Sequence, residues 1–167
     1  MHIVLILGNQ LFPIDLLEKN LEANKDSIIF MREDHELCTH YKYHKHKIVF
    51  FLSAMREYAS ELTKAGYKVH YEKLGENKKT FEEALANVLS KHKANSLSYF
   101  ELEDKFFEKR ITELVNKNGI TATLWQSPMF LTRREECKSY LDEKKKPFMK
   151  SFYEQQRKRL KILVDSK

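Results

Sequence analysis

The residues best suited to hold a small polar molecule fall in two short stretches, Gly8-Asn9-Gln10 and the segment from Arg32 to Lys47. In the first, Gly8 permits close backbone approach, and the carboxamides of Asn9 and Gln10 donate and accept hydrogen bonds to a heterocycle or a sugar alcohol. An ordinary turn that caps its own helix explains the same residues, because turns favour Gly and Asn. The loop has one glycine, so it is neither a dinucleotide fingerprint nor a phosphate-binding P-loop. The second stretch gathers Arg32, Glu33, Asp34, His35, Glu36, Cys38, His40, His44, His46 and Lys47. Its histidine and cysteine spacings, HxxC, HxxxH and HxH, match no closed zinc site, so no metal ligand is assigned. A ligand pocket in which Glu33 and Lys47 supply a few oriented polar contacts stands beside a plain solvated loop as its reading.

Catalytic constellations are missing from the rest of the chain. There is no GxSxG elbow, Cys38 has His40 nearby but no oxyanion motif, and Glu101, Glu103 and Asp104 read as charges at a helix N-terminus. No catalytic residue is therefore assigned.

Both polar stretches follow apolar runs, which places them at the ends of strands. Ile3 to Leu7, Ser27 to Met31, Lys68 to Tyr71, Ser96 to Phe100 and Ile120 to Trp125 are five strand candidates. Between them, Ile48, Phe51, Leu52, Met55, Ala59 and Leu62 recur at helical spacing from about Lys45 to Ala65, and Gly66 stops the helix. Thr80 and Glu83 form a capping-box pair ahead of a helix to about His92, and Lys105 to Lys117 makes the next, closed by Asn118-Gly119. Alternation of this kind predicts an α/β, doubly wound, mainly parallel five-stranded sheet, Rossmann-like or flavodoxin-like, with helices on both faces. Ligands of such sheets bind beyond the carboxyl ends of the strands, where both polar stretches lie.

After the fifth strand the pattern changes. Thr132 and Glu135 repeat the capping signal, helices are expected from Thr132 to Glu143 and from Pro147 onward, and Phe148, Met149, Phe152, Tyr153, Leu160 and Leu163 form the apolar side of the last. The division predicted is an α/β domain over 1–131 and C-terminal helices over 132–167. Between Lys144 and Lys161 eight Lys and Arg face Glu154 alone, so that segment exceeds the chain's formal charge of +6. A nucleic-acid anchor and the wet face of a docking helix both account for it. Charge confined to one segment excludes an all-over basic nucleic-acid binder.

At 167 residues, 42% hydrophobic and 32% charged, the chain has the makings of one ordinary globular domain. Cys38 and Cys137 form no framework and are expected as reduced thiols, which suits a cytoplasmic location. No run approaches membrane-spanning length, so no membrane partner is expected.

Three segments together resemble one family. LILGNQLF, His44 to Tyr71 (HKHKIVFFLSAMREYASELTKAGYKVHY) and Pro147 to Asp165 (PFMKSFYEQQRKRLKILVD) are similar to the deoxyribodipyrimidine photolyase-related proteins, bacterial photolyases and cryptochromes that also carry an iron–sulfur cluster. Lys47, Ser53 to Arg56, Gly66, Phe130-Leu131, Phe152-Tyr153 and Arg157-Lys158 carry the match. The resemblance implies light-dependent DNA repair or blue-light sensing, and an N-terminal domain that holds an antenna chromophore, dimethyl-ribityllumazine. By position its contacts would be Gly8, Asn9, Gln10, Met31, Glu33, Lys47 and Phe51. Asn9 departs from the family's usual Asp, Phe51 is bulkier than the aliphatic residue expected there, and Glu101 to Arg110 departs from the usual Glu-Pro-Gly-Glu-Tyr-Arg pattern. FAD and the iron–sulfur cluster are expected only in a C-terminal domain that this chain lacks. The chain is accordingly expected to be part of a longer protein, with its own FAD domain and, through it, damaged DNA as partners. A stand-alone flavodoxin-like nucleotide-binding or signalling domain is the alternative.

Overall fold

In a computed structural model, which describes residues 1–21, 26–75 and 79–164, the chain forms two compact units, Met1–Ser127 and Pro128–Lys167. The first unit holds β1 (His2–Leu5), α1 (Ile14–Leu21), β2 (Ile28–Arg32), α2 (His35–Thr39), α3 (Lys45–Lys64), β3 (Lys68–Glu72), α4 (Phe81–Lys91), β4 (Ser96–Phe100), α5 (Lys105–Lys117) and β5 (Thr121–Trp125). All four strand pairings are parallel, in the order β3-β2-β1-β4-β5. The fold is therefore the doubly wound α/β sheet that strand and helix alternation requires.

Side chains of β1 alternate between the faces, and each face has its own core. Ile3 and Leu5 pack with Leu85, Val88, Ile111 and Leu114 of α4 and α5. Val4 and Ile6 pack with Leu17 and Leu21 of α1 and with Met55, Tyr58, Ala59 and Leu62 of α3. β1 and β2 are buried on both sides, which is why each reads as a continuous apolar run. β5 is an edge strand with Thr121 to Leu124 exposed. Because β1 leads through α1 to β2 on one side while β4 adjoins it on the other, the strand order reverses between β1 and β4. That reversal opens a crevice at their carboxyl ends.

Helix ends follow their local signals. Thr80 and Glu83 close a reciprocal capping box, with Thr80 N–H donating to Glu83 at 2.8 Å and Glu83 N–H to Thr80 at 3.3 Å. Gly66, at φ +93°, ends α3 with Tyr67 N–H on Leu62 C=O at 3.0 Å.

The second unit holds α6 (Arg134–Glu143) and α7 (Met149–Leu160). Its packing centres on Tyr140, which is buried, lies 4.9 Å from the Phe152 ring and donates its hydroxyl to Phe148 C=O at 2.9 Å. Two expectations are corrected here. No reciprocal box forms ahead of α6: the N-cap is Arg133 rather than Thr132, its N–H donates to Glu136 at 2.9 Å, and its guanidinium has no acceptor to return the bond. Leu163 is not on the last helix: Lys161 turns left-handed at φ 55°, and Ile162 N–H folds back onto Arg157 C=O at 3.0 Å, ending α7 at Leu160.

Candidate functional site

The crevice contains a cavity of about 340 Å3 within the first unit. Three helices turn N-terminal residues toward it, Lys47 and Ile48 of α3, Phe81 of α4 and Phe107 of α5, and the short α2 adds Leu37 and Cys38. Leu7, Ile48, Leu52, Met55, Leu102 and Phe107 make much of the wall apolar. Polar groups come from the last residue of β2 (Arg32) and from the loops after β1 (Asn9), β2 (Asp34) and β4 (Glu103, Asp104), together with Tyr43 and Lys47.

Of the seven residues implied by the resemblance, Gly8, Asn9, Lys47 and Phe51 line this cavity. Gly8 is needed for packing. A Cβ there would come within 2.6 Å of both Met55 Sδ and the Phe51 ring, so the β1 loop lies directly on α3. Phe51 thus forms a wall of the cavity while its ring covers the glycine. Asn9 donates from Nδ2 to Glu103 at 2.9 Å, bridging the loops after β1 and β4 across the switch point. Lys47 Nζ stands 4.6 Å over the Tyr43 ring, a cation–π contact at the cavity margin.

Gln10, Met31 and Glu33 lie away from the lining. Met31 is fully buried in the α1/α3 core. Gln10 is fully buried too, and its Nε2 donates to Glu101 C=O at 3.0 Å, fastening β1 to β4; its Oε1 is buried with no partner among the described residues. Glu33 is buried and saturated. It accepts from Arg56 Nε at 2.5 Å and Nη2 at 2.9 Å, from the Tyr71 hydroxyl at 2.7 Å and from Leu74 N–H at 2.8 Å. Burial alone would raise the Glu33 pKa, but the bonds from Arg56, Leu74 and Tyr71 outweigh it and hold the carboxyl below its ordinary value.

Arg32 is another saturated ion, bonded to Asp34 at 3.1 Å, to Glu72 at 2.6 Å and to Lys79 C=O at 2.5 Å. It holds the loop after β2 in place and spends its donors doing so. Arg110 of α5 pairs with Glu82 of α4 and, at 3.1 and 3.0 Å, with both oxygens of Glu36, tying the short α2 over the crevice. The Cys38 thiol is pushed up by burial and by the Asp34 and Glu33 carboxylates. It stays protonated at neutral pH, which fits a wall residue better than a nucleophile.

Sequence reasoning missed Glu103 as a wall residue, having read it with Glu101 and Asp104 as charges at a helix N-terminus. For Asp104 that reading holds, since its carboxylate accepts from Phe106 and Phe107 N–H at 2.8 and 3.1 Å. Glu103 differs because β4 lies beside β1. Strand order was the missing information: once β4 adjoins β1, the loop after β4 must face Asn9.

The chain is 25% identical over 166 residues to a (6-4) photolyase of Agrobacterium fabrum, an alignment that covers 98% of this chain and 32% of that protein. It is 29% identical over 175 residues to an uncharacterised protein of Acanthamoeba polyphaga mimivirus, covering 98% of this chain and 85% of the other. The chain thus spans about a third of the length of the photolyase it matches. A family model described as deoxyribodipyrimidine photo-lyase-related protein matches residues 4–167, nearly the entire sequence, and the chain belongs to that family.

Proposed function

We propose that this chain is the N-terminal, antenna-type domain of a photolyase-related flavoprotein, and that its cavity holds dimethyl-ribityllumazine. The observation that carries the reading is the cavity itself. At about 340 Å3 it falls in the usual range of small-molecule sites, roughly 300–1,000 Å3, and combines apolar walls with a few polar groups at the switch point. Leu7, Ile48, Leu52, Met55 and the face of Phe51 suit a flat ring system. Asn9, Lys47 and Glu103 suit ring carbonyls and the hydroxyls of a ribityl arm. The bound lumazine would supply light absorption, and the protein would supply orientation and exclusion of water. Gln10 and Glu33 would act indirectly, by fixing the loops after β1 and β2.

In the longer protein that this reading implies, FAD and the iron–sulfur cluster belong to a further domain, which would bind damaged DNA in a cytoplasmic setting. No helix among the described residues is long and apolar enough to cross a membrane. The rival reading, a flavodoxin-like module for nucleotides, has no glycine-rich loop to support it.

Titration of the purified chain with dimethyl-ribityllumazine tests the proposal. A saturable change in the ligand's own fluorescence is expected. If lumazine, flavin and folate all leave the signal unchanged while circular dichroism shows a folded protein, the antenna reading is wrong.

A further inference from the structure

We propose that the cavity selects a flat heterocycle with an uncharged polyol arm over the same molecule carrying a phosphate, and that Glu103 sets this choice. The inference deepens the antenna reading and rests on it.

Doubly wound folds ordinarily hold phosphates at helix N-termini, where unpaired N–H groups and the positive end of the helix dipole converge. In this cavity the four helices that could do so each already carry a side-chain cap on at least one N-terminal N–H. Asp34 accepts from Leu37 N–H at 3.2 Å ahead of α2, and His44 Nδ1 from His46 N–H at 3.2 Å ahead of α3. The Thr80–Glu83 box closes α4, and Asp104 accepts two N–H groups of α5. A phosphate would compete with these caps and would meet the carboxylates of Asp34, Glu83 and Asp104 among them.

Of the two cations in the lining, the Arg32 guanidinium is consumed by Asp34, Glu72 and Lys79 C=O, which leaves the exposed Lys47, stacked over Tyr43, as the cation a ligand can meet. Against Arg32 and Lys47 the lining sets three carboxylates, Asp34, Glu103 and Asp104. Of these three, Glu103 caps no helix; it is exposed and receives the Asn9 amide across the crevice. An apolar wall cannot desolvate a phosphate, so such a group would be driven to the rim, beside Glu103. Hydroxyls of the polyol arm gain from that carboxylate as an acceptor, whereas a phosphate meets like charge.

The test compares dimethyl-ribityllumazine with its 5′-phosphate ester on the full chain, in wild type and Glu103→Gln, read as the ratio of the two dissociation constants. In wild type the ester should bind at least about tenfold more weakly at low salt. That ratio should shrink severalfold in Glu103→Gln, and also in wild type as salt rises. Equal affinities in wild type would overturn the selection and leave the antenna reading standing. A ratio unchanged by Glu103→Gln would overturn the role of Glu103. If neither ligand binds to the folded protein, the antenna reading fails and this inference with it.

Discussion

Asn9 and Glu103 show how a single substitution can be read only with its neighbour. An aspartate at position 9 would leave two carboxylates where the 2.9 Å amide-to-carboxylate bond now stands. Asn9→Asp is therefore expected to cost about 0.5–1 kcal/mol, the usual scale of an exposed polar pair, and Glu103→Gln added to it should recover much of the loss. Urea denaturation of the four proteins in this cycle measures the coupling; strictly additive effects would mean that the two side chains do not interact in solution. Glu33 belongs to the same scale but has another role. Because Arg56, Tyr71 and Leu74 occupy its oxygens, Glu33→Gln should lower stability by about 2 kcal/mol or more, with lumazine affinity affected only indirectly, through the loop after β2 that it fixes. Its depressed pKa adds a pH signature. The stabilisation is complete above the ordinary carboxyl value of 4.5 and is lost as pH falls through the lower, folded value, so the variant should differ from wild type less in acid. At Phe51 the ring already bounds an open cavity, so Phe51→Ile is expected to weaken lumazine binding by the loss of a stacking face, roughly 1 kcal/mol. Tighter binding would mean that the ring blocks the site.

Elements translate these residues into a site, and their ends were more legible than their neighbours. Thr80 with Glu83, Gly66 and the Lys105 to Lys117 helix were readable because caps and helical periodicity depend on residues a few positions apart. The bridges Asn9–Glu103, Gln10–Glu101 and Arg32–Glu72 were not, since they span 94, 91 and 40 residues and exist only because of strand order. The same limit explains why Glu33, a polar residue at a strand end, looked available for a ligand when its partners lie on α3, β3 and the loop that follows. Two elements are tied by titratable groups. On β3, the pKa of His70 is lowered by burial and by nearby Lys91, against a smaller upward pull from Glu72, with His92 lowering it further. Its ring lies 5.7 Å from those of His92, which ends α4, and of Phe30. A folded-state pKa below the ordinary 6.5 means that the unfolded chain binds the proton first, so stability should fall as pH drops below about 6.5. Thermal midpoints of wild type and His70→Leu between pH 7.5 and 5.5 test this, and an equal decline in both would assign the effect to other groups.

At the scale of the molecule, both hydrophobic cores, all five strands and the cavity fall inside Met1–Ser127. Residues 128–167 hold twelve Lys and Arg against six Asp and Glu, which equals the whole formal charge of +6. Fold and charge are thus divided between the two units. A chain ending at Ser127 should therefore unfold in a single cooperative transition and retain lumazine binding, because no buried residue of either core is removed. Calorimetry checks the first expectation, and a broad, non-cooperative transition would show that the sheet depends on the segment beyond it. The electrostatic outcome is opposite in sign. Bound to heparin as a phosphate-backbone mimic, the full chain should be retained at low salt and released as salt rises, since its affinity would come from counterion release at Lys144 to Lys161. The shortened chain, with no net formal charge, should pass through. Retention of both would place the anion-binding surface on the sheet domain, and retention of neither would make the basic residues of α7 the wet side of a helix whose charge serves solubility.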